Sequence, residues 1–87
     1  MYTIVYTKTA AKQIALLKSA NIDKRAKKLI DLIEKNPFQN PPPYEKLCGD
    51  MEGLYSRRIN IQHRLVYQVY AEEKTVKIIS MWSHYEF

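Results

Sequence analysis

Apolar positions in the first 36 residues recur with helical spacing, and those after residue 53 fall in short strand-like runs. Residues 1–6 are rich in Tyr, Ile, Val and Thr without clean polar alternation, which predicts a strand covered on both faces or a short edge strand. Thr7 or Thr9 can cap the next element, a helix. In it, Ala10, Ile14 and Leu17 share one side while Lys8, Lys12 and Ser19 lie elsewhere around the barrel, predicting a short amphipathic helix with a basic outer ridge that ends near Asn21. Asp23 is placed to cap a second helix. There Ala26, Leu29, Ile30 and Ile33 follow the i, i+3, i+4, i+7 pattern, with Lys27, Asp31 and Lys35 spaced for ion pairs on the outside, and Pro37 ends it. Two helices with so short a link predict an antiparallel hairpin that lays one apolar side on a sheet.

Residues 37–53 hold all four prolines and both glycines, so irregular structure is expected there, with Pro41-Pro42-Pro43 as a stiff extended connector. Beyond it lie three β-like runs, at residues 54–60, 63–70 and 75–82, which predict a three-stranded antiparallel meander. The expected fold is one α+β domain over residues 1–87 with the order β-α-α-β-β-β. Its twisted, mainly antiparallel sheet carries the two N-terminal helices on one face, and the first strand is free to join the meander.

Length and charge narrow the possibilities. A chain of 87 residues buries only roughly 60–65% of its unfolded surface, so a catalytic site must lie near the outside. The formal charge of +5, from 14 Lys and Arg against 9 Asp and Glu, favours a polyanionic partner. Cys48 is the single cysteine and cannot form an internal disulfide, and no N-terminal stretch has the make-up of a signal peptide, so a reducing cytoplasm is expected. No segment nears the roughly 20 apolar residues of a membrane span, and no membrane association is expected.

The chemistry-bearing residues cluster late. Cleaving RNA needs a base for the 2′-hydroxyl, cations for the developing phosphorane charge and an acid for the departing 5′-oxygen. Glu45, Arg57, Arg58, Arg64 and His84 are a carboxylate, guanidiniums and an imidazole suited to those tasks. Arg64, set before Leu65-Val66-Tyr67 on a central strand, should point from the core toward an anion; its plainer reading is a structural ion pair with Glu45 or Glu52. A three-residue loop at residues 60–62 sets Arg58 across from Arg64, and a two-residue loop sets Arg57 there. Either register brings like charges together, as a phosphate cradle would. One of the two neighbouring arginines should face the site and the other solvent, with Arg58 preferred. Glu45 is either poised over the sheet by Leu47 or a solvated loop charge. His84, with an unperturbed pKa of roughly 6.5, can act as an acid near neutrality. Tyr85 beside it can stack on a base, donate to phosphate or cover the sheet edge. His63, at a strand start, reads as structural. Cys48, His63 and His84 lack the paired spacing of a zinc site, so no metal and no cofactor is expected.

Taken in order, Asn36-Pro37-Phe38, Tyr44-Glu45-Lys46-Leu47, Gly53-Leu54-Tyr55-Ser56-Arg57-Arg58-Ile59, His63-Arg64-Leu65-Val66-Tyr67 and His84-Tyr85 resemble the YoeB/Txe group of RelE-like toxins from bacterial toxin–antitoxin modules. The resemblance spans the chain from the second helix onward. It implies a metal-independent endoribonuclease, an mRNA interferase that cuts mRNA in the ribosomal A site and inhibits translation. It also implies an antitoxin of YefM/Axe type, contact with operator DNA only through the toxin–antitoxin complex, and a homodimer. By position the general base falls on Glu45, the phosphate-binding arginines on Arg58 and Arg64, and the acid and its aromatic partner on His84 and Tyr85. Cys48 stands where relatives often carry lysine, and Glu86-Phe87 extend beyond the His-Tyr ending. The alternative is a non-catalytic basic module that grips RNA or DNA, blocking the ribosome or acting with an antitoxin in operator repression. It needs the arginines and lysine ridges but neither Glu45 nor His84. A third reading retains only the assembly with an antitoxin.

Overall fold

The computed structural model describes residues 1–47 and 53–82, which run as β1 (Thr3–Tyr6), α1 (Lys8–Ser19), α2 (Asp23–Lys35), β2 (Glu45–Lys46), β3 (Leu54–Arg58), β4 (Arg64–Tyr70) and β5 (Thr75–Ser80). Of the two candidate threonines, Thr7 caps α1: its Oγ1 accepts the Ala10 N–H at 3.0 Å. The same hydroxyl donates to the Ile79 carbonyl at 2.9 Å, which ties the helix start to β5. At the other end Asn21 takes a left-handed φ of 59°. Its N–H bonds to the Lys18 carbonyl and the Ile22 N–H to the Leu17 carbonyl, the paired bonds of a Schellman cap. Asp23 does not cap α2 as expected. Ile22 holds that position without a side-chain bond, and Asp23 is the first helical residue, where its carboxylate still faces the positive end of the helix dipole.

Ala10, Leu17, Ala26 and Ile33 from the helices pack on Leu65, Tyr67, Val76 and Ile78 of the sheet. Ile14 shares the helical spacing but is 39% exposed, at the mouth of a cleft of about 340 Å³ between the helices and β1. The sheet order is β1-β5-β4-β3-β2. The three predicted strands form an antiparallel meander, and β1 joins its outer side parallel to β5, with Thr3 opposite Thr75. In the connector the Asn40–Pro41 and Pro41–Pro42 peptide bonds are cis. Its last residues also add a two-residue edge strand, β2, with Glu45 opposite Ser56. Gly53 takes a φ of +76°, and a Cβ there would lie 3.4 Å from the Val69 carbonyl that closes over it.

Alternation along β3 divides its side chains between the two faces of the sheet. Tyr55 and Arg57 turn toward the helices, and Ser56 and Arg58 turn to the opposite face.

Candidate active site

The β3–β4 turn decides the register left open by the sequence. Asn60 accepts the N–H groups of Gln62 and His63 on its side-chain oxygen, and the Ile59 and Asn60 N–H groups both reach the His63 carbonyl. This three-residue loop sets Arg58 opposite Arg64 and Ser56 opposite Val66. Since β2 places Glu45 opposite Ser56, the residues Glu45, Ser56, Arg58 and Arg64 share one face of three adjacent strands.

Arg64 is held from two sides. Its Nε donates to the Ser56 Oγ at 2.6 Å, and its Nη2 lies 3.5 Å from the Glu45 Oε1. The Arg64 side chain is 19% exposed and that of Glu45 is 71% exposed. An ion pair so open to water contributes at most about 1 kcal/mol, so an entering phosphate can displace it. Arg58 is exposed and reaches the same cleft of about 270 Å³, whose walls are Pro43, Tyr44, Glu45, Arg58 and Arg64. A fixed guanidinium, an exposed guanidinium and an exposed carboxylate thus converge on one opening. The larger cleft beside β1 carries charges of both signs on an apolar floor, with no such convergence.

Arg57 is a correction to the sequence reading, which offered it as a phosphate contact and gave one of the two arginines to solvent. It faces neither solvent nor the cleft. Its side chain is fully buried on the helix face. Nε donates to the Tyr67 hydroxyl at 3.0 Å, Nη1 to the Pro42 carbonyl at 2.7 Å, and Nη2 to the Pro37 and Gln39 carbonyls at 3.1 and 2.8 Å. The guanidinium carbon also lies 4.9 Å above the Tyr44 ring. Tyr67 donates its own hydroxyl to the Pro37 carbonyl at 2.8 Å. Burial raises the Tyr67 pKa above its usual value, and the hydrogen bond and charge of Arg57 only partly oppose this.

His63 is buried and stacks on Trp82, ring centroids 4.1 Å apart and planes 20° from parallel. His84 and Tyr85, named as acid and RNA contact, lie outside the described residues, as do Cys48, Glu52, Glu86 and Phe87. Ser56 received no role from the sequence, although its place two residues before Arg58 puts it on the same face. Among the described residues, no three His, Cys, Asp or Glu side chains gather as a metal site requires, and no helix is long and apolar enough to cross a membrane.

This arrangement of two helices on a five-stranded mixed sheet recurs in small bacterial toxins. It superposes on a YoeB/ParE toxin from Agrobacterium tumefaciens with a TM-score of 0.85 at 29% identity, over 95% of this chain and 99% of that one. The class is therefore that of toxins from two-component toxin–antitoxin systems. A Staphylococcus aureus protein solved in a YoeB–YefM complex matches with a TM-score of 0.79 at 32% identity, over 98% of this chain and 99% of that one. The structure of a YoeB dimer from the same organism matches with a TM-score of 0.81 at 31% identity, over 97% and 98% of the two chains. By sequence, Toxin YoeB of a Synechocystis strain is 40% identical over 63 residues, 72% of this chain and 71% of that protein. The chain belongs to the YoeB-like toxins of bacterial type II toxin–antitoxin systems, whose family model matches residues 5–85.

Proposed function

We propose that this toxin is an endoribonuclease that cuts mRNA on the ribosome by side-chain acid–base chemistry. Glu45 takes the proton of a 2′-hydroxyl as that oxygen attacks the neighbouring phosphorus. Arg64 and Arg58 offset the charge that builds on the phosphorane oxygens. The P–O5′ bond breaks as His84, assigned from sequence, gives its proton to the leaving oxygen, and the products are a 2′,3′-cyclic phosphate and a 5′-hydroxyl. The observation that carries the reading is the meeting of Glu45, Arg58 and Arg64 in one cleft, with Glu45 held to Arg64 at 3.5 Å by a weak, displaceable contact.

A general acid or base contributes about 10²–10⁴-fold, so Glu45→Gln and His84→Gln should each slow cleavage by that order while the protein stays folded. The direct test induces the chain alone in a bacterium and maps transcript 5′ ends, with and without each substitution. New 5′ ends that vanish in both variants support the role; undiminished cleavage removes it from the residue concerned. A basic module that merely blocks the ribosome predicts otherwise: growth inhibition survives Glu45→Ala and transcripts stay whole.

The S. aureus complex and dimer support a YefM-type antitoxin and a homodimer for this chain as well. The formal charge of +5 favours an acidic antitoxin segment folding across the toxin, with operator DNA met only through that complex. Both cleavage and capture by the antitoxin would then take place in the cytoplasm.

A further inference from the structure

A fully buried guanidinium needs a reason in a domain this small. Among the described residues no carboxylate pairs with Arg57, and its donors go to neutral oxygens instead. The targets are informative. The carbonyls of Pro37, Gln39 and Pro42 span the connector that leaves α2 and ends at Glu45. Proline lacks an N–H, so this stretch cannot be zipped to the sheet by an ordinary ladder. One forked side chain grips it at three points from beneath.

The grip passes directly to the site. The Arg57 guanidinium also stacks on the Tyr44 ring, which packs edge-on against Tyr55 at 5.8 Å. Tyr44 is bonded to Glu45. On the far face of the same strand, Ser56 and Arg58 flank Arg57 in sequence, and Ser56 fixes Arg64 at 2.6 Å. The spacing between Glu45 and Arg64 is thus set by the pairing of β2 with β3 and by two side-chain tethers that both begin on β3. Arg57 holds the carboxylate's segment and Ser56 holds the guanidinium.

We propose that Arg57 is a positioning residue for the reaction: it fixes where the Glu45 carboxylate sits relative to Arg64, and it touches no RNA. The proposal rests on Glu45 being the general base. Arg57→Lys keeps the charge but loses the fork that reaches several carbonyls at once. Misplacing a reacting group by about 1 Å costs on the order of 10²-fold in rate. KM should hold, because Arg58 and Arg64 remain.

The test measures cleavage of a defined mRNA on translating ribosomes as a double-mutant cycle. Arg57→Lys should lower kcat about 10²-fold with KM unchanged, and should cause no further loss when combined with Glu45→Gln. An equal loss in both backgrounds, or no loss, overturns the proposal. Tyr67→Phe, which removes only the hydroxyl bound to Arg57 and Pro37, serves if Arg57→Lys does not fold: a several-fold fall in kcat confined to the Glu45 background supports it, and unchanged kcat overturns it. A second readout needs no cleavage. The Arg64 Nε–H and Glu45 amide resonances should shift in the Arg57→Lys or Tyr67→Phe protein, and unmoved resonances overturn the positioning role. If Glu45→Gln alone proves harmless, the assigned base falls while these resonances still decide whether Arg57 sets the geometry.

Discussion

Arg58 and Arg64 stand directly opposite each other on β3 and β4, and Glu45 neutralises only Arg64 among the described residues. Like charges directly opposite destabilise a sheet by about 0.2–1 kcal/mol, so the pair is retained at some expense to folding. Arg58→Ala should therefore leave unfolding stability unchanged or raise it within that range. It should also weaken RNA binding and reduce the salt dependence of binding by about one phosphate contact. Denaturant titration with binding measured at several salt concentrations checks both; a clear loss of stability, or an unchanged salt slope, contradicts the assignment.

Tyr67 makes the connector sensitive to alkali. Burial raises its pKa in the folded state above the usual value of 10.0, so the folded protein holds the phenolic proton more tightly than the unfolded chain does. That contribution is complete below pH 10.0 and is lost as pH rises through the higher folded value. Tyr6, also raised mainly by burial, acts in the same direction. Tyr67→Phe should cost about 1–2 kcal/mol near neutrality, because Arg57 and Pro37 lose a partner, and should make the decline above pH 10.0 shallower. Urea unfolding as a function of pH measures this, and a decline as steep as in the parent protein counts against Tyr67.

Asn21 tests the helix hairpin. It occupies the left-handed residue of the α1 cap with a φ of 59°. Asn tolerates that region better than other side chains, but Gly meets no Cβ penalty there. Asn21→Gly should be neutral or stabilising by up to about 1 kcal/mol, and Asn21→Val destabilising by about 1–2 kcal/mol. Thermal unfolding of both variants gives the comparison, and the reverse order would mean that the cap is not formed.

The helices and the meander were legible because their signals are local. Ala26 and Ile33 show the helical period, and the short β-like runs at residues 54–60, 63–70 and 75–82 mark the strands of the meander. The parallel pairing of β1 with β5 joins residues some 72 positions apart, and nothing within Thr3–Tyr6 specifies that partner. Strand β2 was hidden behind the prolines that precede it, because it is only two residues long and depends on β3 for its pairing. In the candidate site, residue type and context singled out Arg58, Arg64 and Glu45, which the fold brings to one cleft. Arg57 was misplaced because a charge on a strand reads as pointing outward. The contrary signal was present: Tyr55 and Ile59 flank it at i±2 and belong to the face that the helices cover.

The central claim is that an RNA 2′-hydroxyl, activated by Glu45, is the attacking group. The most direct measurement presents translating ribosomes with an mRNA carrying one 2′-deoxy nucleotide at the mapped cut site, beside the all-ribose message. The ribose message should be cut to a 2′,3′-cyclic phosphate end and the deoxy message should survive at that position. Cutting both at the same rate would contradict the account.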